Sequence, residues 1–210
     1  MMNGGIPEAV QLLKQEVSRL RDEVTGLRDE NDALRTYIQS VSALYNATQK
    51  FASQDNLMKL LDEILYQALV VINTDHGSLL LVDEETGDLV FVLVHGDFRE
   101  SLQGYRLKKG QGIAGWVMDH GEPLIVNQPR YDPRFSTEVD TALGMTSQNL
   151  LAVPLRVGDK ILGVIELVNK DDSGEFTESD ATILSLLAVF AAISLDQLDR
   201  QLADQETATS

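Results

Sequence analysis

The first part of the chain carries apolar residues at alternating spacings of three and four. With Val10 placed at position a of a heptad repeat, β-branched residues fill most a positions and leucine fills most d positions. This pattern is typical of a parallel two-stranded coiled coil. The sequence therefore predicts a parallel homodimer with the following seam: Val10, Leu13, Val17, Leu20, Val24, Leu27, Asn31, Leu34, Ile38 and Val41.

Polar positions of the repeat favour the same register. Asn31 occupies a single a position, where two asparagines can bond to each other across a dimer seam. Glutamates at g match arginines at e of a parallel partner, in the pairs Glu16–Arg21, Glu23–Arg28 and Glu30–Arg35. Two alternatives are an amphipathic helix packed on its own domain and a DNA-binding zipper. The zipper needs a basic region before the heptads, and residues 1–9 hold no lysine or arginine.

Beyond residue 50 the pattern changes to one amphipathic helix over 55–72, followed by a series of strands. Short apolar runs predict strands over 77–82, 89–95, 104–108, 124–127, 150–156 and 161–169. A hairpin loop is predicted at 83–88, with Gly87 as its special-angle residue, and a turn at 158–159.

A last helix is predicted to begin at Thr177, with Asp180 as a capping-box acid, and to reach about Leu202 before a polar, frayed tail. Its apolar spacing predicts a second seam formed by Ala188, Ala191, Leu195, Leu198 and Leu202. Strands joined by hairpins and flanked by helices predict an antiparallel α+β fold. We therefore expect a coiled-coil helix over 6–45, a globular α+β domain over 46–195, and a helix end with a polar tail over 196–210.

The amino-acid composition disfavours some classes of function and excludes others. The 210 residues include 17 Lys+Arg and 33 Asp+Glu, a net charge of −16, which disfavours binding to nucleic acid or to anionic membranes. The chain has no cysteine, which excludes thiol catalysis, disulfides and thiolate metal sites. The longest uncharged apolar stretch, residues 181–195, is shorter than the ~20 residues of a membrane-spanning helix. We expect a buried helix there, in a cytoplasmic protein.

Three features carry candidate chemistry. Residues 110–115 match G-x-G-x-x-G, but a polar segment precedes them and only a short helix can follow, which disfavours dinucleotide binding. Residues 106–134 carry a local charge of +2, which fits either an anionic small-molecule site or a solvated surface. Glu166 interrupts an apolar strand on the face of Val164 and Val168, so it must be paired, ligand-bound or at an edge. No catalytic arrangement stands out, and we predict that the chain is not an enzyme.

Four separated motifs together resemble the GAF domain over residues 46–195. They are Gly110-Gln-Gly-Ile-Ala-Gly-Trp-Val117, Asp132-Pro-Arg-Phe135, Leu151-Ala-Val-Pro-Leu155 and Gly163-Val-Ile-Glu-Leu-Val-Asn-Lys170. The resemblance implies a central antiparallel sheet with terminal helices on one face and a small-molecule pocket on the other. The pattern is most similar to the cyclic-nucleotide-binding domains of phosphodiesterases and adenylyl cyclases. Their Asn-Lys, Phe, Asp-Glu signature is matched by Asn169, Lys170, Phe176 and Asp180, but Ala181 replaces the glutamate.

The resemblance implies a dimeric sensor that binds cyclic AMP, cyclic GMP or another anionic metabolite, holds no covalent cofactor or metal, and signals to a separate protein. Asp140 or Thr146 would bond to a base edge, and the N-terminus of the short helix after Gly112 would face a phosphate. The implied ligand-binding residues are Ser78, Gly112, Ile113, Ala114, Asn127, Arg134, Phe135, Asp140, Thr146 and Glu166. The alternative is a ligand-free dimerisation or docking module, which the departure at Ala181 favours.

Overall fold

The structure is a computed structural model of the chain, and it describes residues 11, 14–21, 24, 54–143, 146–171 and 174–209. The chain divides into two compact units, Met1–Ser40 and Val41–Ser210. In the first unit residues 14–21 are helical, and the predicted seam residues Val17, Leu20 and Val24 each expose almost half of their surface. The remaining residues of the N-terminal seam lie outside the described residues, so the coiled coil stays a prediction.

The second unit contains an antiparallel sheet with helices on both sides, which confirms the predicted α+β fold. In chain order the elements are α1 (Gln54–Ile72), β1 (Thr74–Val82), β2 (Leu89–His95), α2 (Arg99–Leu102), β3 (Arg106–Leu107), α3 (Gly112–His120), β4 (Leu124–Val126), a 3-10 turn (Pro129–Tyr131), α4 (Glu138–Leu143), β5 (Leu150–Val157), β6 (Lys160–Lys170) and α5 (Glu178–Thr209). The six strands are ordered β3-β2-β1-β6-β5-β4, and every neighbouring pair is antiparallel.

The β1–β2 hairpin forms where short polar residues and a glycine predict it. The Asp83 carboxylate accepts hydrogen bonds from the backbone N–H groups of Glu85 and Thr86, both at 3.0 Å. Gly87 adopts a φ of 73°, a left-handed conformation that glycine reaches without steric cost. The short polar residues and the glycine that predict the loop in the sequence therefore form the turn in the structure.

Helices α1 and α5 pack side by side on one face of the sheet and form the larger core. Leu61, Ile64 and Leu65 of α1 are fully buried there. Ala188 and Ala191 of α5, which belong to the predicted second seam, lie in the same core of their own domain. Small side chains at these positions let the helix approach the sheet of its own domain. Leu195 and Leu198 pack partly against this core, and their role between two chains stays a prediction.

Helix α5 begins at the predicted capping box. The backbone N–H of Asp180 donates to the Thr177 hydroxyl at 3.2 Å, and the Asp180 carboxylate accepts from the backbone N–H of Thr177 at 2.8 Å. The helix continues to Thr209, so the predicted frayed tail is wrong; alanine, glutamine and glutamate in residues 203–206 favour helix. By length and composition alone, Glu178–Leu202 would suffice to cross a membrane, but its buried side is core in this fold.

The other face of the sheet carries a second core, and the described helices that cover it are short. Helix α3 lies across it, with Ile113, Ala114 and Val117 buried against Ala152 and Val164 of the sheet. The short helices α2 and α4 complete the cover around it. Because these short elements leave gaps between them, this face is where the domain can enclose a cavity.

Candidate functional site

A cavity opens between the second face of the sheet and the short helices that cover it. Its volume is about 80 Å³, well below the ~300–1,000 Å³ of typical small-molecule sites. A small-molecule ligand of ordinary size must therefore part the cover. The lining residues are His76, Gly77, Ser78, Phe91, Val94, His95, Phe98, Leu102, Leu107, Gly112, Ile113, Ala114, Phe135, Ser136, Val139, Asp140, Ser147, Leu150, Glu166 and Val168.

Two polar side chains rise from the floor of the cavity. Ser78 of β1 stands directly opposite Glu166 of β6 in the antiparallel pairing, which places both on the same face of the sheet. The described residues provide no hydrogen-bond partner for the Glu166 carboxyl. Burial, together with the nearby carboxylate of Asp140, raises the pKa of Glu166 to about 7. A carboxyl of this kind is suited to hydrogen bonding with a ligand.

Asp140, on the opposite wall, is held in place by the chain itself. One of its carboxylate oxygens accepts from the Ser147 hydroxyl at 2.7 Å, and the other accepts from the Ser147 backbone N–H at 2.8 Å. Asn169 fixes the same loop, because its side chain donates to the Thr146 carbonyl at 3.0 Å and accepts from the Gln148 N–H at 2.7 Å. The loop thereby clamps Asp140 and leaves Glu166 as the carboxyl with free bonding capacity.

The N-terminus of α3 forms a third wall of the cavity. Gly112, Ile113 and Ala114 line it, and the N-cap residue Gln111 makes no side-chain cap to the helix. The first N–H groups of a helix have no partner within it, and together with the helix dipole they attract anions. The helix can begin here because a Cβ on Gly115 would lie 2.5 Å from the Gly110 carbonyl carbon, a contact that only glycine avoids. The glycines thus shape the wall, without the preceding buried parallel strand that a dinucleotide site requires.

Aromatic and imidazole side chains close the cavity on the β2 side. Phe98 lies 6.1 Å from the His76 ring, centroid to centroid. His95 lines the cavity and also bonds Asp62 of α1, with 2.9 Å between its Nε2 and the carboxylate oxygen. His95 therefore connects the cavity wall to the helical layer on the far side of the sheet.

Seven of the ten predicted ligand-binding residues meet in this cavity: Ser78, Gly112, Ile113, Ala114, Phe135, Asp140 and Glu166. Asn127 lies outside it. Its side chain donates to the Phe176 carbonyl at 3.1 Å and accepts from the Phe176 N–H at 2.9 Å, so it fastens the loop before α5. The prediction that Asn127 lines the pocket is therefore wrong, because both the NH₂ group and the oxygen of its side-chain amide form hydrogen bonds with the backbone of that loop.

Arg134 and Thr146 also lie outside the cavity lining. Arg134 forms a two-pronged ion pair with Asp132, at 2.9 and 2.6 Å, and stacks 4.9 Å above the Trp116 ring. The Thr146 hydroxyl accepts from Arg130 at 3.3 Å. Asp140 rather than Thr146 therefore reaches the cavity.

The positive charge of residues 106–134 is used elsewhere. Arg106 donates to Asp83, and this bond, together with the one from the Thr86 backbone N–H, lowers the pKa of that carboxyl to about 2. Lys108 pairs with Asp88 at 2.9 Å. Among the residues that the structure describes, no lysine or arginine lines the cavity. Of the two alternatives, the described residues of the cavity favour the solvated surface, and the N-terminus of α3 is the feature of the lining that attracts an anion.

The motif Asn169, Lys170, Phe176 and Asp180 has a structural role. Lys170 forms an ion pair with Asp180, the acid of the α5 capping box, and Ala181, the next residue of α5, is buried in the larger core. None of Lys170, Phe176, Asp180 and Ala181 touches the cavity. The departure at Ala181 therefore leaves the cavity walls unchanged and gives no argument against ligand binding.

Sequence reasoning missed the two histidines, Phe91, Phe98 and Ser147. Alternation along β1 could have found His76, because it lies two residues before Ser78 on the same strand. Phe98 and Ser147 lie in segments without periodicity, and only the folded chain brings them to the cavity. The described residues contain no cluster of three or more metal-binding side chains.

Comparison with known proteins assigns the family. The GAF domain family model matches residues 54–196. The chain is 34% identical over 151 residues to the dual 3',5'-cyclic-AMP and -GMP phosphodiesterase 11A of Takifugu rubripes, covering 67% of this chain and 17% of that protein. It is 30% identical over 145 residues to the probable 3',5'-cyclic phosphodiesterase pde-5 of Caenorhabditis elegans, covering 63% of this chain and 19% of that protein.

A solved structure has the same fold. The GAF domain from a phosphoenolpyruvate-protein phosphotransferase of Coxiella burnetii is 21% identical, with a TM-score of 0.69, over 81% of this chain and 96% of that one. The chain therefore belongs to the GAF domain family, whose members commonly sense small molecules in signalling proteins. It spans less than a fifth of the length of the two phosphodiesterases.

Proposed function

We propose that the protein is a dimeric signalling module that binds a cyclic nucleotide, cyclic AMP or cyclic GMP, in the cavity beneath α3. The observation that carries the proposal is the cavity itself, which is lined by a carboxyl without a partner in the described residues, by the uncapped N-terminus of α3 and by apolar side chains. A cyclic nucleotide has matching parts: a base edge with N–H donors and a phosphate with one negative charge. The two related phosphodiesterases, whose names refer to 3',5'-cyclic nucleotides, support this ligand class.

The proposed pose follows from the chemistry of the walls. The phosphate meets the N–H groups of Ile113 and Ala114 at the start of α3, since the cavity lining offers no other strong anion site among the described residues. The base lies between the aromatic residues and the floor, with Phe135 against its face and Glu166 at its edge. Asp140, which Ser147 already holds, carries at most a secondary contact.

Occupancy is proposed to reach a partner protein through the helices. The reachable space is smaller than a nucleotide, so binding must move the cover or the walls. His95 bonds Asp62 of α1 from the cavity wall, and α1 follows the predicted coiled coil in the sequence. A shift at the wall would therefore bias the arrangement of the two chains, in the cytoplasm where we expect the protein to act.

We propose a binding role rather than a catalytic one for this chain. The polar groups of the cavity are a carboxyl, a clamped aspartate, serines and histidines. In the described residues no histidine of the cavity bonds to a serine, and the hydrogen bond from the Ser147 hydroxyl to Asp140 is part of the clamp on that loop. The second candidate is a ligand-free dimerisation module, favoured by the small reachable space. In that case side chains fill the cavity and only the helices act.

Calorimetry of the purified full chain with cyclic AMP and cyclic GMP tests the proposal. We expect saturable binding of at least one nucleotide at one ligand per chain. Phe135→Ala should weaken binding about tenfold or more, because stacking of a base on an aromatic ring is worth roughly 1–3 kcal/mol. Tyr131→Ala, at an 86% exposed tyrosine four residues earlier, is the matched control and should bind as the wild type does. No heat with either nucleotide at millimolar concentration rejects the proposal in favour of the docking module.

A further inference from the structure

Glu166 differs from the other carboxyl of the cavity in having its bonding capacity free. Each carboxylate oxygen of Asp140 accepts one hydrogen bond from Ser147, whereas no described group forms a hydrogen bond with the Glu166 carboxyl. Glu166 is also fixed in position, because β6 is paired on both sides, with Ser78 of β1 and Ala152 of β5 as its direct neighbours. A ligand in the cavity therefore meets one unpartnered carboxyl at a defined place on the floor.

The surroundings of Glu166 leave both of its protonation states within reach near neutral pH. Asp140 faces it from α4, while His76 from β1 and His95 from β2 are the other titratable groups of the cavity walls. No described lysine or arginine lines the cavity to hold the carboxylate form. Burial, aided by the Asp140 charge, accordingly raises the pKa of Glu166 to about 7.

The two protonation states offer different hydrogen bonds. A neutral carboxyl presents one O–H donor and one acceptor oxygen, whereas a carboxylate presents acceptors only. Adenine carries an amino donor beside a ring-nitrogen acceptor, which complements the neutral acid. The Watson–Crick edge of guanine carries two adjacent N–H donors, which complement the carboxylate. Each good two-bond match to a base edge discriminates against the wrong base by roughly 1–3 kcal/mol.

We propose that Glu166 selects between the two cyclic nucleotides by its protonation state, binding the adenine edge as a neutral acid and the guanine edge as a carboxylate. This inference rests on the proposed function and adds a pH-dependent specificity to it. The proton balance is simple. At pH values above the midpoint of the Glu166 titration, binding of cyclic AMP takes one proton from solvent onto the Glu166 carboxylate. At pH values below that midpoint, binding of cyclic GMP releases one proton from Glu166 to solvent.

The test is the dissociation constant of the wild-type full chain for each nucleotide at pH 6 and pH 8. With a midpoint near 7, the neutral fraction falls about tenfold between these values and the ionised fraction rises about tenfold. Affinity for cyclic AMP should therefore fall and affinity for cyclic GMP should rise, so that their ratio changes by up to about a hundredfold. Calorimetry in two buffers of different ionisation enthalpy should show uptake of one proton when cyclic AMP binds at pH 8.

Glu166→Gln separates this residue from the two histidines, because imidazole also changes charge near neutral pH. An amide always presents a donor and an acceptor, so this variant should prefer cyclic AMP at both pH values. A pH-dependent ratio that persists in Glu166→Gln assigns the effect to His76 or His95 and overturns the inference.

The wild-type result is decisive even if the variant fails to fold. Binding of both nucleotides with a ratio that is constant from pH 6 to 8 overturns the inference and leaves the proposed function standing. Absence of binding by either nucleotide at every pH overturns both.

Discussion

Glu166 lies between hydrophobic residues on β6, a central strand that pairs with β1 on one side and with β5 on the other. Alternation along β6 places it beside Val164 and Val168 on the cavity face, as the sequence predicts. The sequence leaves open whether such a carboxyl is paired, ligand-bound or at a sheet edge. The structure answers part of this, because β6 is a central strand and the described residues provide no partner for the carboxyl.

The ligand-free protein should show the cost of ionising Glu166. The pKa is about 7 in the folded chain and 4.5 in the reference state, so the folded state binds more protons between these values. The contribution of the neutral Glu166 carboxyl to the free energy of unfolding is therefore fully present below pH 4.5 and is lost as the pH rises through 7. Relative to the wild type, Glu166→Gln should gain up to about 3 kcal/mol in the free energy of unfolding between pH 5 and pH 8. Urea denaturation of both proteins at the two pH values measures this, and an unchanged difference would contradict it.

Asn127 offers a test of a residue whose predicted role the structure changes. Asn127→Ala removes two hydrogen bonds to the Phe176 backbone and should lower the free energy of unfolding by about 2 kcal/mol. Nucleotide affinity should stay within about twofold, since the side chain does not line the cavity. The exposed neighbour Gln128→Ala is the control, expected within about 0.5 kcal/mol of the wild type. A stable variant with lost binding would restore the ligand-binding role.

Among the elements, those with a clear period or cap were predictable from sequence. The amphipathic pattern of α1, the turn residues around Gly87 and the Thr177–Asp180 box each act locally, and each forms as predicted. Helices α2 and α4 were not predicted, because segments of four and six residues are too short to show a helical period. The end of α5 was misjudged because polar residues with good helix propensity resemble a frayed tail.

The start of α5 should depend strongly on Asp180. Its carboxylate accepts hydrogen bonds from the Thr177 N–H and hydroxyl and forms an ion pair with Lys170. Asp180→Ala therefore removes a helix cap and leaves the largely buried Lys170 ammonium without its carboxylate partner. We expect a loss of about 2–4 kcal/mol in the free energy of unfolding. Glu178→Ala, at an exposed residue in the same turn, should cost about 1 kcal/mol or less. Equal effects of the two substitutions in thermal denaturation would show that the box and ion pair do not secure the helix.

For the whole molecule, the sequence predicted the fold more completely than the cavity. Periodicity and turn chemistry suffice to place the sheet and its helices, whereas a cavity depends on where non-periodic loops come to rest. Arg134 illustrates the limit: its charge suggested an anion site, but Asp132 two residues away neutralises it. Ser147 carries no distinguishing pattern at all, yet it decides which carboxyl of the cavity is free.

The proposed dimer can be tested at its one polar seam position. Asn31→Val should raise the thermal stability of the assembly and weaken its preference for two chains, because a buried polar pair specifies the oligomer at a cost in stability. Light scattering coupled to size-exclusion chromatography should then detect higher oligomers alongside dimers. If the variant still forms only dimers, Asn31 does not select the oligomeric state.

The central claim is that each chain of a two-chain assembly holds one cyclic nucleotide in the cavity beneath α3. Native mass spectrometry of the purified full chain, with and without added cyclic AMP or cyclic GMP, tests it most directly because it counts chains and ligands together. The account predicts a two-chain species that gains two nucleotide masses. A single-chain species, or a dimer that gains no nucleotide mass at saturating concentration, would contradict it.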